Sequence, residues 1–247
     1  MPDSPAGGAD RTDHGRVTVT WRWGHRSTTA SVVVALLVVS VLVQLGTAHL
    51  SRARAAEQSR CARHAADADR RAALVTGSGR RVVVIGDSWS VGLGLRDLSA
   101  SWPTRLPGEV HVAGFSGSGF SRTASPCGDR SYAARARRVV ADADLVVVEG
   151  GLNDHDRSTA AITVGFLRLM RALAGLGQEV VVVGPAPAPA RRSAVPRVDH
   201  LLAALSGAHG VRYVSAADWE LPYLPDRLHL TAEGHARFGE LVAEQLG

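Results

Sequence analysis

The stretch VVVIGDSWSVGLG, Val82 to Gly94, drives a solid apolar run into Gly86-Asp87-Ser88. A serine hydroxyl is a weak nucleophile and needs a base within hydrogen-bond reach. Candidate partners stand far downstream in LPDRLHLTAEGH, where Asp226 precedes His229 by three residues. An imidazole there can take the serine proton if a carboxylate holds its second ring nitrogen. Attack on an acyl carbon creates an oxyanion, which preorganised N–H donors stabilise. The backbone N–H groups of Ser88 and of Gly117 (in AGFSGSGF), and the side-chain amide of Asn153 (in GGLNDHD), are the candidate donors. Glycine at 117 lets backbone approach a substrate with no Cβ in the way.

Competing chemistries fare worse. Gly86 to Gly92 has the spacing that opens a phosphate-binding loop, but Leu93 and Gly94 follow where Lys-Ser/Thr is required. Asp154, His155 and Asp156 form a compact trio without a matching distant ligand set, so no metal is expected there. Asp87 is expected to brace the serine turn. Trp89, Phe115 and Phe120 are open to two readings, as walls of an acyl pocket or as packing.

These residues need a frame that gathers them. Runs of valine mark strands over Arg81–Ile85, Glu109–Ala113, Asp144–Glu149, Glu179–Val183 and Val211–Val214, several buried on both faces. Helical stretches fall at Asp129–Ala141, Ser158–Leu176, Val195–Leu205 and Ala232–Leu246, the last with Thr231 as its cap and Glu233 in its first turn. The alternation predicts an α/β protein, a three-layer α/β/α parallel sheet with right-handed crossovers. Ligands of such sheets bind beyond the carboxyl ends of the strands. Ser88, Gly117, Asn153 and the Asp226–His229 pair all fall at such loop ends.

Singly, each motif is weak: Gly-Asp-Ser ends many strands, and Asn-Asp forms turns on its own. Together and in order, Gly86-Asp87-Ser88, Ser116-Gly117, Gly151-Leu152-Asn153-Asp154 and Asp226-Arg227-Leu228-His229 resemble the four signature blocks of the SGNH/GDSL hydrolases. The resemblance covers Arg80 to the C-terminus. It implies a flavodoxin-like sheet and a cofactor-free serine esterase or lipase-like acyl hydrolase. Ser88 would be the nucleophile, Asp226 and His229 its partners, and Ser88, Gly117 and Asn153 the oxyanion hole. One departure is visible: many members carry an asparagine shortly before the glycine of the second block, where this chain reads HVAGFSG.

The remainder of the chain sets the context. Its 28 basic residues are all arginine and its formal net charge is +5, but acids are interleaved along most of its length. A nucleic-acid binder clusters its charge on one face, so nucleic acid is not an expected partner. Residues 1–27 read as a polar, disordered cytoplasmic tail. Thr28 to Leu50 carries no formal charge, and about 20 such residues span a bilayer core. An uncleaved signal-anchor is expected, because a signal-peptide apolar region is only about 7–15 residues long. Ala53-Arg54-Ala55 leaves cleavage as the alternative. Residues 51–79 read as a stalk and linker, helical over 51–75 and broken by the GSGR that starts at Gly77, and 80–247 as the hydrolase domain, single-pass and extracytoplasmic. Cys61 and Cys127 are the two cysteines, either paired or free. The expected activity is hydrolysis of an O-acyl ester on an envelope glycan, a lipid or a small molecule. A catalytically idle envelope-binding module on the same fold, and an acyltransferase to an acceptor other than water, are the alternatives.

Overall fold

Five valine-rich segments pair into one parallel sheet. They are β1 (Arg81–Gly86), β2 (Glu109–Gly114), β3 (Leu145–Glu149), β4 (Glu179–Val183) and β5 (Arg212–Val214), in the spatial order β2-β1-β3-β4-β5. The structure is a computed structural model that describes Thr18 and residues 26–247. Nearly all of the expected N-terminal tail, 1–27, lies outside the described residues. Contacts divide the chain into two units, Met1–Arg52 and Ala53–Gly247.

The sheet belongs to the second unit. Every pairing is parallel, with Ile85 of β1 opposite Ala113 of β2 and Val148 of β3. Because side chains alternate, β1 feeds two cores. Val82 and Val84 pack with Trp89, Trp102, Phe238 and Val242 on one face. Val83 and Ile85 pack with Phe120, Tyr132, Phe166 and Leu202 on the other. Complete burial on both faces is why the strands read as unbroken apolar runs, and each fully buried valine contributes roughly 1.5–3 kcal/mol. This is the α/β sheet expected from the sequence.

The helices are α1 (Arg26–Ala72), α2 (Ser88–Val91), α3 (Tyr132–Val139), α4 (Thr159–Leu173), α5 (Val195–Ala208) and α6 (Ala232–Leu246). Thr231 caps α6, its side chain accepting from the Gly234 N–H. Two of the expected boundaries that move have a visible local cause. α3 starts at Tyr132, not Asp129, because the Asp129 carboxylate accepts from the Ser131 N–H and hydroxyl and forms a turn instead. The stalk helix, expected over 51–75, ends at Ala72. Beyond it Gly77 takes a positive φ of 74°, and a Cβ there would meet the Gly108 carbonyl oxygen at 2.2 Å. Thr76 instead exchanges backbone hydrogen bonds with Val110.

In the first unit, the apolar side chains from Val32 to Leu50 stand exposed to solvent. This stretch of α1 is long and apolar enough to cross a membrane, by length and composition.

Candidate active site

Strand β1 ends at Gly86, and the chain turns at once into the single-turn helix α2. Asp87 caps that turn, its Oδ1 accepting the Trp89 N–H at 3.0 Å. The cap sets Ser88 at the head of α2, 6% exposed, with its hydroxyl 3.2 Å from Nε2 of His229. On the far side of the ring, Nδ1 lies 2.6 Å from Asp226 Oδ2. The other carboxylate oxygen, Oδ1, accepts the backbone N–H groups of Leu228 and His229 at 2.9 and 3.0 Å. Burial pushes the Asp226 carboxyl up, but the hydrogen bonds from the His229 ring and the two backbone N–H groups outweigh it and hold it below the ordinary range.

The tight loop has a conformational cost. Arg227 adopts a left-handed φ of 60°, which an arginine pays about 1–3 kcal/mol to hold. The loop is stitched to the serine turn by the Trp89 indole, which donates to the Leu228 carbonyl at 3.1 Å. A serine, an imidazole and a carboxylate in this row can pass the hydroxyl proton to the ring as the oxygen attacks.

The residues expected to donate to an oxyanion lie around the same turn. Gly117 has a φ of 83°, a conformation that favours glycine. Among the described residues, neither its N–H nor that of Ser88 donates to another backbone or side-chain acceptor. The turn is fastened from two sides. Asp154 accepts the N–H groups of Phe120 and Ser121 at 2.8 and 2.9 Å. Buried Arg135 donates to the carbonyls of Gly86 and Ala113 and to the Ser118 hydroxyl. The Asn153 amide is more committed: Nδ2 donates to Asp87 Oδ2 and to the Ser118 carbonyl, both at 2.9 Å.

Beneath the serine turn, Trp102 donates to the Ser90 hydroxyl, which donates to Glu149 at 2.7 Å. Burial, reinforced by the neighbouring Asp87 charge, pushes the Glu149 carboxyl well above its ordinary range. Asp87 is also raised, by burial.

A model of the GDSL-like lipase/acylhydrolase family matches residues 84–237, more than half of the chain. The chain belongs to that family. As a GDSL-family member it is a carboxylic ester hydrolase. No curated protein matches it. Among solved structures, a carbohydrate acetylesterase from Sinorhizobium meliloti is 22% identical, with a TM-score of 0.55 over 68% of this chain and 98% of its own. An inhibitor-bound aryl esterase from M. smegmatis is 20% identical, with a TM-score of 0.56 over 68% and 98%. These likenesses show the fold.

Of the residues expected to act, the GDSL fold brings Ser88, Asp226 and His229 into one hydrogen-bonded row. It sets Asn153 against Asp87. Cys61 and Cys127 are joined as a disulfide. Trp89, Phe115 and Phe120 are packed into the interior at 2%, 3% and 0% exposure. Asp154, set aside with its neighbours in the sequence, proves to brace the second turn. Glu149, Ser90, Arg135 and Arg191 were not singled out: each is an ordinary residue in its local context, and only the tertiary fold assigns it a partner.

Proposed function

We propose that the protein is a membrane-anchored serine esterase that removes a short acyl group from a hydroxylated alcohol, such as an envelope glycan, through an acyl-enzyme on Ser88. His229 takes the Ser88 proton as Oγ attacks the acyl carbon, and Asp226 holds the ring in the tautomer that can accept it. The N–H groups of Ser88 and Gly117 and the Asn153 amide receive the oxyanion. His229 then returns the proton to the departing alkoxide, and the cycle repeats with water as nucleophile. The observation that carries this reading is the 3.2 Å separation of Ser88 Oγ and His229 Nε2, with Asp226 behind the ring.

Burial of Trp89, Phe115 and Phe120 supports a small acyl group, since these rings fill the core and do not line a channel for a long chain. A cleft of about 530 Å³ opens between the loops after β4 and β5. It is lined by the aromatic rings of Trp219 and Tyr223 and by Asp218 and Glu220, whose carboxylates can accept hydrogen bonds from hydroxyls. Tyr223 packs on Trp89, next to Ser88. Two solved structures of the same fold are named a carbohydrate acetylesterase and an aryl esterase, and the first name agrees with this substrate class. The apolar helix and the disulfide support residues 28–50 as an anchor and 80–247 as a catalytic domain in an oxidising compartment, joined by 51–79.

The full-length chain, assayed in detergent against one alcohol esterified with acyl groups of increasing length, is expected to hydrolyse acetate fastest. A maximum at long acyl chains would overturn the substrate class.

A further inference from the structure

The amide of Asn153 is gripped at both ends. Its Nδ2 donates to Asp87 Oδ2 and the Ser118 carbonyl, and its Oδ1 accepts from Nη1 of Arg191 at 2.7 Å. The same arginine nitrogen donates to the Leu152 carbonyl at 3.0 Å. A carboxylate only accepts and a guanidinium only donates. A flipped amide would lose both charged partners and turn its oxygen against Asp87. One amide orientation therefore survives.

We infer that Arg191 is a positioning residue of the oxyanion hole, holding the Asn153 amide with its N–H groups toward the serine turn and polarising them for donation. This rests on the proposed role of Asn153 as an oxyanion donor. A positive donor at the amide oxygen draws electron density from the nitrogen and strengthens its N–H groups, as in any hydrogen-bonded chain. In the resting site both Asn153 hydrogens are engaged, so one must be shared with or released to the oxyanion. The Arg191 bond sits on the opposite atom and survives that exchange, keeping the amide plane in place.

Arg191 is itself well fixed. It is half-buried on the loop after β4, and its N–H donates to the Ala188 carbonyl at 2.8 Å. The preceding Ala190 N–H donates to the carbonyl of Arg227 at 2.9 Å, tying this loop to the turn that carries Asp226 and His229. None of the four motifs read from the sequence includes Arg191. A guanidinium kept for a substrate anion would not spend Nη1 on two protein oxygens.

The test is a double-mutant cycle on the full-length chain in detergent, with each kcat normalised to active sites titrated by a serine-directed phosphonate. Arg191→Met removes the donors and keeps the bulk. It should lower kcat roughly ten- to a hundredfold with little change in KM, and Arg191→Lys should recover part of that loss. Asn153→Ala alone should lower kcat by roughly 10²–10³. Adding Arg191→Met to Asn153→Ala should then cost almost nothing further. An equal loss from Arg191→Met in both backgrounds, or a rise confined to KM, would overturn the inference while leaving Asn153 as a donor. Full kcat in Asn153→Ala would instead remove the oxyanion role on which the inference rests.

Discussion

The ring of His229 lies 3.2 Å from the hydroxyl of Ser88, although 141 positions separate them in the chain. Two contacts hold that approach. Asp226 pins the far side of the ring, and Trp89 ties the serine turn to the carbonyl of Leu228. The Ser88–His229 approach is thus held by hydrogen bonds from Asp226 and Trp89, on two segments that the sheet brings to one edge.

Asp226→Asn should lower kcat by at least about 10²-fold with KM little changed, because the wrong tautomer of His229 harms only the transition state. Steady-state kinetics on the variant check this. Since Asp226 is held below the ordinary carboxylate range, it stays ionised through mildly acidic pH.

The disulfide Cys61–Cys127 closes a separation of 66 residues. Loop-closure entropy for a ring of that length amounts to about 4 kcal/mol of stability. Reductant, or the double variant Cys61→Ser/Cys127→Ser, should lower Tm by about 10 °C, near 2–4 °C per kcal/mol for a chain of this size. Thermal melts with and without reductant measure it, and coincident curves would contradict the link.

His235 is fully buried, both its ring nitrogens lack a hydrogen-bond partner among the described residues, and burial lowers its pKa from 6.5 to about 4, with a smaller contribution from the His229 charge. Between those two values the unfolded chain binds a proton that the folded one refuses, so acidification destabilises the fold. Above the upper value both states are neutral and the residue is silent. Relative to His235→Leu, the wild type should lose a few kcal/mol as pH falls across that window. Denaturant unfolding at pH 7, 5 and 4 would expose the difference, and a constant gap between the two proteins would refute it.

Much of this architecture was legible because its signals are local. The valine runs of β1, β3 and β4 announce burial on both faces, and Thr231 with Glu233 marks the start of α6. The order of the four polar blocks pointed to the GDSL family, because each block closes a strand or opens a helix at the same sheet edge. What stayed hidden depends on distant pairing. Arg135 is one of 28 identical arginines until the fold turns it inward onto the ends of β1 and β2. Glu149 reads as the polar end of a strand, and only the packing of Trp102 and Ser90 reveals a buried carboxyl beneath the serine. Arg191 sits in a proline-rich loop whose path has no sequence periodicity to follow.

The central claim is that Ser88 attacks the ester carbonyl. The most direct measurement is mass spectrometry of the full-length chain after reaction with a serine-directed phosphonate, alongside kcat for Ser88→Ala. A single adduct on Ser88, with ester turnover lost in a variant that melts like the wild type, is the predicted result. Labelling at another residue, or turnover retained in Ser88→Ala, would contradict it.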